Sequence, residues 1–478
     1  MPEPVAPSVQ AEGPVARLAG RMTAWSEKWI PDAFVFALIA TLIVLVAVLV
    51  HGHTGVAEAA RIWGGGFWDL IPFTLQMALV IITGYVLATA GPVYRLIGWL
   101  ARWPQTPRTA IAWVALFAMA TSWLNWGFSL IFSAMLAREV ARQVKGVDYR
   151  AAAASAFLGL GSVWAQGLSG SAALQMATPS ALPVSIRAIV EGAGNVPGGI
   201  IPLRHTIFLW QSLLCVVLEI AVVVAVVYLA APSGKRARTA ESLGIPLGES
   251  LLGRPPPERK GTPGEWLEHT PWLSAFIVLL AGGYLVDLVT RSKDVLGALN
   301  LNVVNLLFLT LGVALHGTPA KLMRAFKEAT PGVWGVILQF PFYAGIAALI
   351  SKTHLNEAIA HLFVSASSPS TFPALIAAYS ALLGVFVPSG GSKWVIEAPY
   401  VLQAAHDLHV HLGWTVTVYD LGEALANLVQ PFWMLPILGL FGLKARDVMG
   451  FTFIVFLVLA PLVLILVTLF APTLPYPL

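Results

Sequence analysis

The sequence has very little charge and almost no cysteine. Only 11% of its 478 residues are charged, whereas 57% are hydrophobic; a soluble globular protein carries about 25% charged residues. A chain of this composition cannot cover its apolar residues with its own polar surface, so its surroundings must include lipid. The single cysteine, Cys215, excludes an intramolecular disulfide and a cysteine-based metal site.

Several signatures of soluble enzymes are also absent. The chain has no G-x-x-x-x-G-K-[ST] phosphate loop, no H-E-x-x-H zinc motif and no G-x-S-x-G nucleophile elbow. The net charge of +4 comes from basic residues that lie between apolar runs and form no basic face, which argues against nucleic acid as a partner. His406, His409 and His411 are better explained by a solvated helix end than by a metal cluster. We therefore expect no enzyme and no cofactor.

Apolar runs of about 20 residues recur along the chain, and each can cross a bilayer as a helix. The predicted fold class is an all-α polytopic membrane protein. The nine predicted spans are 31–50, 69–90, 152–180, 205–230, 271–290, 300–316, 331–351, 413–440 and 449–470. Two further apolar stretches, 109–140 and 372–405, are too long for one untilted helix and too short for two, so we expect re-entrant helical hairpins.

Basic residues orient these spans, because cytoplasmic loops hold most Lys and Arg. With a cytoplasmic N-terminus and hairpins that return to their side of entry, 21 of the 28 basic residues are cytoplasmic and 6 are outside. If 109–140 crossed fully, the cluster from Arg138 to Arg150 would face away from Arg95, Arg102 and Arg108. This distribution predicts a C-terminus on the outside.

The same order of elements occurs twice along the chain. Residues 31–230 and 300–470 each contain two spans, a hairpin, a span with a polar break and a final span. The two hairpins enter from opposite sides, and such inverted repeats are typical of secondary transporters. Residues 1–30 are expected to be a disordered cytoplasmic tail, 231–299 a cytoplasmic linker with a connecting span, and 471–478 a C-terminal tail.

Four polar interruptions fall at one depth of the predicted membrane. Two lie at the hairpin tips, residues 122–127 and 387–392, and two lie at the centres of spans, near 166–171 and 426–431. Helix breaks expose N–H groups that favour an anion and C=O groups that favour a cation. This chemistry fits a carboxylate and a coupling cation, with sodium ahead of a proton. Any one break could be a simple kink in a packed helix, but kinks alone do not explain why four breaks fall at one depth.

These breaks supply the candidate substrate- and ion-binding residues. They are Asn125, Trp126, Gly127, Ser169, Gly170, Ser171, Ser389, Gly390, Gly391, Ser392, Lys393, Asn427 and Gln430. A sodium ion at the hairpin tips is the only metal that we expect. Lys393 could bind a substrate carboxylate or pair with Glu397 at i,i+4, and the sequence slightly favours the pairing. Asp420 and Glu423 are the groups that could carry protons instead of sodium.

Specific strings of residues occur between residue 29 and residue 450. They are Trp29-Ile-Pro-Asp32, Gln76-Met-Ala-Leu-Val-Ile-Ile-Thr-Gly84, Asn125-Trp-Gly127, Ala137-Arg-Glu-Val-Ala-Arg142, Ser169-Gly-Ser171, Ala177-Thr-Pro179, Gln339-Phe-Pro-Phe-Tyr-Ala-Gly-Ile346, Val387-Pro-Ser-Gly-Gly391, Trp394-Val-Ile396 and Gln430-Pro-Phe-Trp433. Together they resemble the bacterial short-chain fatty acid transporters of the acetoacetate and butyrate type.

The resemblance implies uptake of small monocarboxylates such as acetoacetate or butyrate across the bacterial inner membrane. It also implies a relationship to an ion-transporter superfamily. Its members are typically homodimers in which a transport domain moves against a scaffold, as an elevator. Lys393 and Glu397 depart from the family pattern, in which neutral residues or histidine are commoner at 393 and glutamine at 397. A small apolar acid needs apolar walls around its tail, for which the candidates are Trp126, Trp394, Phe432 and Trp433.

Three other functions stay open from the sequence. A carrier of dicarboxylates would need a second cationic or amide-rich contact for the second carboxylate. An integral-membrane enzyme would use Asp420 and Glu423 as an acid pair. A passive channel would accumulate no substrate against a gradient.

Overall fold

The structure is a computed structural model that describes residues 33–51, 54–194, 196–232, 234–247, 261–292, 299–386 and 390–478. Within these ranges the chain forms α-helices, short 3-10 helices and connecting segments, with no strand. The prediction of an all-α protein is confirmed. The predicted tail 1–30 and part of the predicted linker lie outside the described residues.

The helices follow one another with short connections, and most are shorter than a full membrane span. In the first half they are α1 (Ala33–His51), α2 (Val56–Gly66), α3 (Ile71–Ala88), α4 (Gly91–Leu100), α5 (Pro107–Leu124), α6 (Trp126–Gln143), α7 (Tyr149–Phe157), α8 (Ser171–Ala177), α9 (Val184–Gly192) and α10 (Trp210–Ala230). In the second half they are α11 (Pro263–His269), α12 (Trp272–Arg291), α13 (Leu301–His316), α14 (Pro319–Ala329), α15 (Trp334–Ser351), α16 (Leu355–Ala366), α17 (Phe372–Phe386), α18 (Gly390–Asp407), α19 (Leu412–Asn427), α20 (Leu435–Phe441) and α21 (Ala445–Phe470).

Five of the described helices are long and apolar enough to cross a membrane, namely α3, α10, α12, α15 and α21. In α12 only 6% of the apolar window is buried inside the protein, and side chains such as Phe276, Leu279 and Leu280 are exposed. A helix that is apolar on every face and unburied is stable in lipid but not in water. These helices indicate a multi-pass membrane protein.

The two apolar stretches that we predicted to be hairpins, 109–140 and 372–405, each form a pair of helices. α5 and α6 pack against each other and are separated by Asn125 alone, whose backbone is extended. α17 ends at Phe386 and α18 begins at Gly390, and the tip between them, 387–389, lies outside the described residues. The first pair therefore changes course at the tip predicted from the sequence.

The two spans that we predicted to carry polar breaks are indeed interrupted. Between α7 and α8 the chain forms a 3-10 helix, Val163–Gln166, and between α19 and α20 it forms another, Phe432–Met434. The first break is rich in glycine, which permits an irregular backbone and close packing. The short helices α2, α4, α9, α11 and α14 were not predicted, because they are amphipathic or too short to register as spans.

The helices pack in two groups. One group contains α1, α2, α3, α13 and α15, and the other contains α5, α7, α10, α17, α19 and α21. The second helix of each hairpin joins the groups, because α6 packs on α3 and α18 packs on α15. The helix breaks therefore lie next to the boundary between the two groups.

Two glycines allow close contact between helices. Gly159, after α7, lets that interrupted span approach α5, and Gly422, on α19, lets the other interrupted span approach α17. A Cβ at Gly159 would overlap the carbonyl oxygen of Ala118 and lie 2.6 Å from Ser122 Cβ. A Cβ at Gly422 would overlap the carbonyl oxygen of Ala377 and lie 2.8 Å from Ser380 Cβ. The same type of contact thus holds both hairpins.

We expect Gly159→Ala to destabilise the fold by about 1–3 kcal/mol, since backbone has to move to make room. The measurement is the thermal unfolding midpoint of purified protein in detergent. Gly283→Ala is the matched control, because a Cβ there meets nothing within 4 Å on an exposed face of α12, and it should unfold at or slightly above the wild-type temperature. Equal midpoints for both variants would contradict this account of the contact.

Candidate functional site

One cavity lies at the boundary between the two helix groups. Its volume is about 40 Å³, which is room for about three water molecules. It is lined by Met77, Ile81, Trp126, Leu160, Trp164, Ser171, Val336, Phe340, Gly390, Gly391, Glu423, Asn427 and Trp433. Most of these residues are apolar or aromatic, and in the described part of the chain Glu423 is the only charged residue of the lining.

Five of the predicted site residues lie together in this lining. Trp126, Ser171 and Gly390 with Gly391 are the first residues of α6, α8 and α18, and Asn427 is the last residue of α19. They belong to four segments that are distant in sequence. The structure therefore brings the ends of four interrupted helices to one cavity.

Other predicted residues lie behind the lining and hold it in place. Asn125 Oδ1 accepts a hydrogen bond from Phe128 N–H at 2.8 Å and caps α6. Ser169 Oγ accepts one from Trp126 N–H at 2.9 Å, which ties the break after α7 to the first hairpin tip. These side chains have partners within the protein and stabilise the breaks.

Gly127 and Gly170 contribute through their small size. A Cβ at Gly127 would lie 3.3 Å from Asn125 Oδ1, and one at Gly170 would lie 2.6 Å from the carbonyl oxygen of Ala165. Alanine at position 170 would therefore push apart two backbone segments of the same break. Both glycines shape the tips without lining the cavity.

Three predicted residues lie wholly or partly outside the described part of the chain. Ser389 lies outside the described residues, as do the side chains of Ser392 and Phe432. Of the other predicted wall residues, Trp126 and Trp433 line the cavity with ring centroids 5.4 Å apart. Trp394 instead lies buried against Tyr419, with a centroid distance of 4.8 Å, and is not part of the lining.

Hydrogen bonds connect the two interrupted spans across the site. Asn427 Nδ2 donates to the carbonyl oxygen of Leu160 at 2.9 Å, and Gln430 Nε2 donates to Asn427 Oδ1 at 2.9 Å. All three residues are buried. Asn427 therefore both lines the cavity and fixes one break against the other.

A buried carboxylate anchors the other end of the first break. Gln166 Nε2 donates to Glu219 Oε1 at 2.7 Å, and Gln166 Oε1 accepts from Ser212 Oγ at 3.2 Å. Glu219 and Ser212 lie on α10. Glu219 is fully buried and is bonded to the centre of a helix break.

Lys393 pairs with Glu423 and not with Glu397, which corrects the i,i+4 prediction. Its Nζ lies 2.6 Å from Glu423 Oε2 and also donates to the carbonyl oxygen of Ser380 at 2.6 Å. Glu397 is turned towards α19, where it accepts a hydrogen bond from Tyr419 O–H at 2.6 Å. The spacing of residues on one helix could not show that a neighbouring helix offers each side chain a better partner.

The carboxylates of α19 have oxygen atoms without hydrogen-bond partners. Asp420 Oδ2 accepts from Ala172 N–H at 2.9 Å, but within the described part of the chain neither Asp420 Oδ1 nor Glu423 Oε1 has a hydrogen-bond partner. Gly384 on α17 makes room for this arrangement, because a Cβ there would lie 2.6 Å from Glu423 Oε2. Buried carboxylates that are only partly satisfied are unusual outside functional sites.

The sequence reasoning missed the cavity walls that come from outside the breaks. Met77 and Ile81 belong to α3, Val336 and Phe340 belong to α15, and Phe340 stacks on Phe73 with centroids 5.7 Å apart. Met77 and Phe340 do lie in strings that carried the family resemblance. Only the fold shows that these two helices face the breaks.

A multi-pass helical membrane protein with a central cavity between interrupted helices has the architecture of a membrane transporter. Solved structures of this kind have the same fold. A transporter from Alcanivorax borkumensis named YdaH aligns with a TM-score of 0.59 at 13% identity, over 93% of this chain and 99% of that one. MtrF from Neisseria gonorrhoeae, described among antimetabolite efflux pumps, aligns with a TM-score of 0.60 at 12% identity, over 96% and 98%.

The chain belongs to the short-chain fatty acid transporter family. The model of the family described as "Short chain fatty acid transporter" matches residues 14–471. Two relatives bear the name "Putative short-chain fatty acid transporter". The one from Haemophilus influenzae is 33% identical, covering 94% of this chain and 99% of its own length. The one from Escherichia coli is 35% identical, covering 91% and 96%.

Proposed function

We propose that this protein is a secondary active carrier of short-chain monocarboxylates such as acetoacetate and butyrate in the bacterial inner membrane. The observation that carries the proposal is the cavity where four helix ends meet aromatic walls beside a buried Lys393–Glu423 pair. The partial positive charge of helix N-termini suits one carboxylate, and the apolar walls suit a short tail. Transport is coupled to a cation, sodium or a proton.

The lining favours one carboxylate over two. The described residues around the cavity include no cationic group other than the nearby Lys393, so a second carboxylate would be buried without a partner. We expect excess butyrate to abolish uptake of labelled acetoacetate into proteoliposomes. Succinate at the same concentration should leave most of the uptake intact. Protein-free liposomes measure the leak of the free acid through lipid. Stronger competition by succinate would reassign the substrate to dicarboxylates.

An enzyme or a channel is a weaker candidate. Asp420 and Glu423 are bonded to Ala172 and Lys393, and they lie one turn apart on a single helix rather than on opposite sides of a bound molecule. Recovery of chemically altered acetoacetate from the lumen would favour the enzyme. Uptake that never exceeds the external concentration under an imposed gradient would favour the channel.

The proposed architecture is an inverted repeat with nine spans and two re-entrant hairpins. It is supported by the matching glycine contacts of Gly159 and Gly422, and by the equivalent packing of α6 on α3 and of α18 on α15. The repeats are 31–230 and 300–470. In this proposal the group containing α3 and α15 is a scaffold in a homodimer, and the hairpins and interrupted spans move against it as an elevator.

Single cysteines test the proposed orientation. In a background with Cys215 replaced, Lys145→Cys and Asp407→Cys place one reactive group on an exposed residue after each hairpin. We expect an impermeant maleimide added to intact cells to label position 407, and to label position 145 only after the membrane is opened. Labelling of both positions in intact cells, or of neither, would contradict hairpins of opposite orientation.

A further inference from the structure

Glu423 presents an unusual obstacle to a carboxylate substrate. It is fully buried, it is the charged member of the described cavity lining, and its Oε1 atom has no hydrogen-bond partner among the residues that the structure describes. A substrate carboxylate in this small cavity would lie beside a second negative charge. At low dielectric such a contact is strongly unfavourable unless one of the two carboxyl groups takes a proton.

The two oxygens of Glu423 have different surroundings. Oε2 lies 2.6 Å from Lys393 Nζ and is held on the side of α17 and α18. Among the described residues, Oε1 has neither a hydrogen-bond partner nor an ion-pair partner. A carboxylic acid can accept a hydrogen bond from Lys393 at Oε2 while its Oε1–H donates to a second carboxylate.

The charged groups around Glu423 make its ionisation sensitive to the arrival of a substrate. The charged groups that face it are Lys393 and Glu397 from α18 and Asp420 from its own helix. α17 faces it with Gly384, and α3 and α15 contribute apolar residues to the shared cavity. With no substrate, Lys393 stabilises the ionised form of Glu423. The negative charge of an arriving carboxylate opposes this stabilisation and makes protonation of Glu423 favourable.

We propose that Glu423 binds the co-transported proton and, once protonated, donates its Oε1–H to the carboxylate of the substrate. This inference rests on the proposed function and specifies its coupling ion. One proton and one monocarboxylate anion enter together, so the loaded site has the same net charge as the empty one. Release of the substrate on the other side restores the Lys393–Glu423 ion pair and frees the proton.

A proton suits this site better than sodium. A metal cation needs several oxygen ligands around it. The Lys393 ammonium also occupies the position beside Glu423 Oε2 that a cation would need. A proton requires only the unpartnered Oε1 atom.

The experiment is calorimetric titration of purified protein with butyrate, from about pH 6 to about pH 9, a range in which butyrate itself stays ionised. For wild type we expect the affinity to fall about tenfold per pH unit at the alkaline end, because one proton binds with each substrate. Buffers of different ionisation enthalpy should report uptake of one proton. Affinity should not depend on sodium.

Two variants assign the proton to a residue. Glu423→Gln should bind butyrate with an affinity that is independent of pH, because the amide N–H₂ group can donate without a proton from solution. Asp420→Asn should keep the tenfold fall per pH unit, whatever its absolute affinity. The same slope in Glu423→Gln as in wild type, or a folded Glu423→Gln protein that binds no butyrate, would overturn the inference.

Failure of the inference is distinguishable from failure of the proposed function. Butyrate binding by wild type that is flat with pH and takes up no proton overturns only the coupling, and this measurement needs no variant to fold. Binding that rises with sodium at constant pH also overturns it. Absence of butyrate and acetoacetate binding at every pH contradicts the function itself.

Discussion

Replacing Gly390 by alanine should reduce the rate of acetoacetate uptake by about tenfold or more. A Cβ at this position would lie 2.9 Å from Trp164 Cη2 and 3.3 Å from both Asp420 Oδ1 and Glu423 Cγ. The added methyl group therefore displaces either the cavity wall or the start of α18, at a cost of about 1–3 kcal/mol. The measurement is initial uptake in proteoliposomes per amount of folded protein, over a range of substrate concentrations.

Gly439→Ala is the control for this change. Gly439 lies on α20, the helix that follows the second break, and a Cβ there meets nothing within 4 Å. We expect it to transport at the wild-type rate. A Gly390→Ala protein with wild-type half-saturation and maximal rate would show that the cavity is not the transport site.

Replacing Lys393 by methionine should destabilise the protein by about 3–5 kcal/mol, the usual cost of removing one partner of a buried ion pair. The loss arises because the buried Glu423 carboxylate then has no cation beside it, although methionine fills most of the lysine volume. The measurement is the thermal unfolding midpoint in detergent, where the change should amount to several degrees.

Double variants identify the partner of Lys393. Adding Glu423→Gln to Lys393→Met removes the unpaired charge and should recover most of the lost stability. Adding Glu397→Gln should recover little, since Glu397 accepts its hydrogen bond from Tyr419 and not from Lys393. Recovery by Glu397→Gln instead would show that Lys393 pairs with Glu397 at i,i+4. An unchanged midpoint for Lys393→Met would contradict a buried ion pair.

The helix breaks could be predicted from the sequence because they depend on local chemistry. Glycine, proline and short polar side chains interrupt an otherwise apolar run, and Asn125 both ends α5 and caps α6. We predicted that the breaks converge because each lies near the middle of its apolar run.

Side-chain partners could not be predicted in the same way, since they depend on which helices become neighbours. Lys393 and Glu397 share a helix face, yet α17 and α19 supply both of their partners. The apolar walls from Met77 and Phe340 likewise required knowledge of how α3 and α15 pack. Helical spacing gives the facing direction of a side chain but not the residue that it meets.

Counterflow in proteoliposomes tests the central claim most directly, because it needs a carrier and no imposed ion gradient. Proteoliposomes loaded with unlabelled butyrate are diluted into a trace of labelled acetoacetate at equal pH on both sides. We expect the label to rise transiently above its external concentration in wild type, and to do so weakly in Gly390→Ala. Label that only equilibrates, at the rate seen in protein-free liposomes, would contradict a short-chain monocarboxylate carrier.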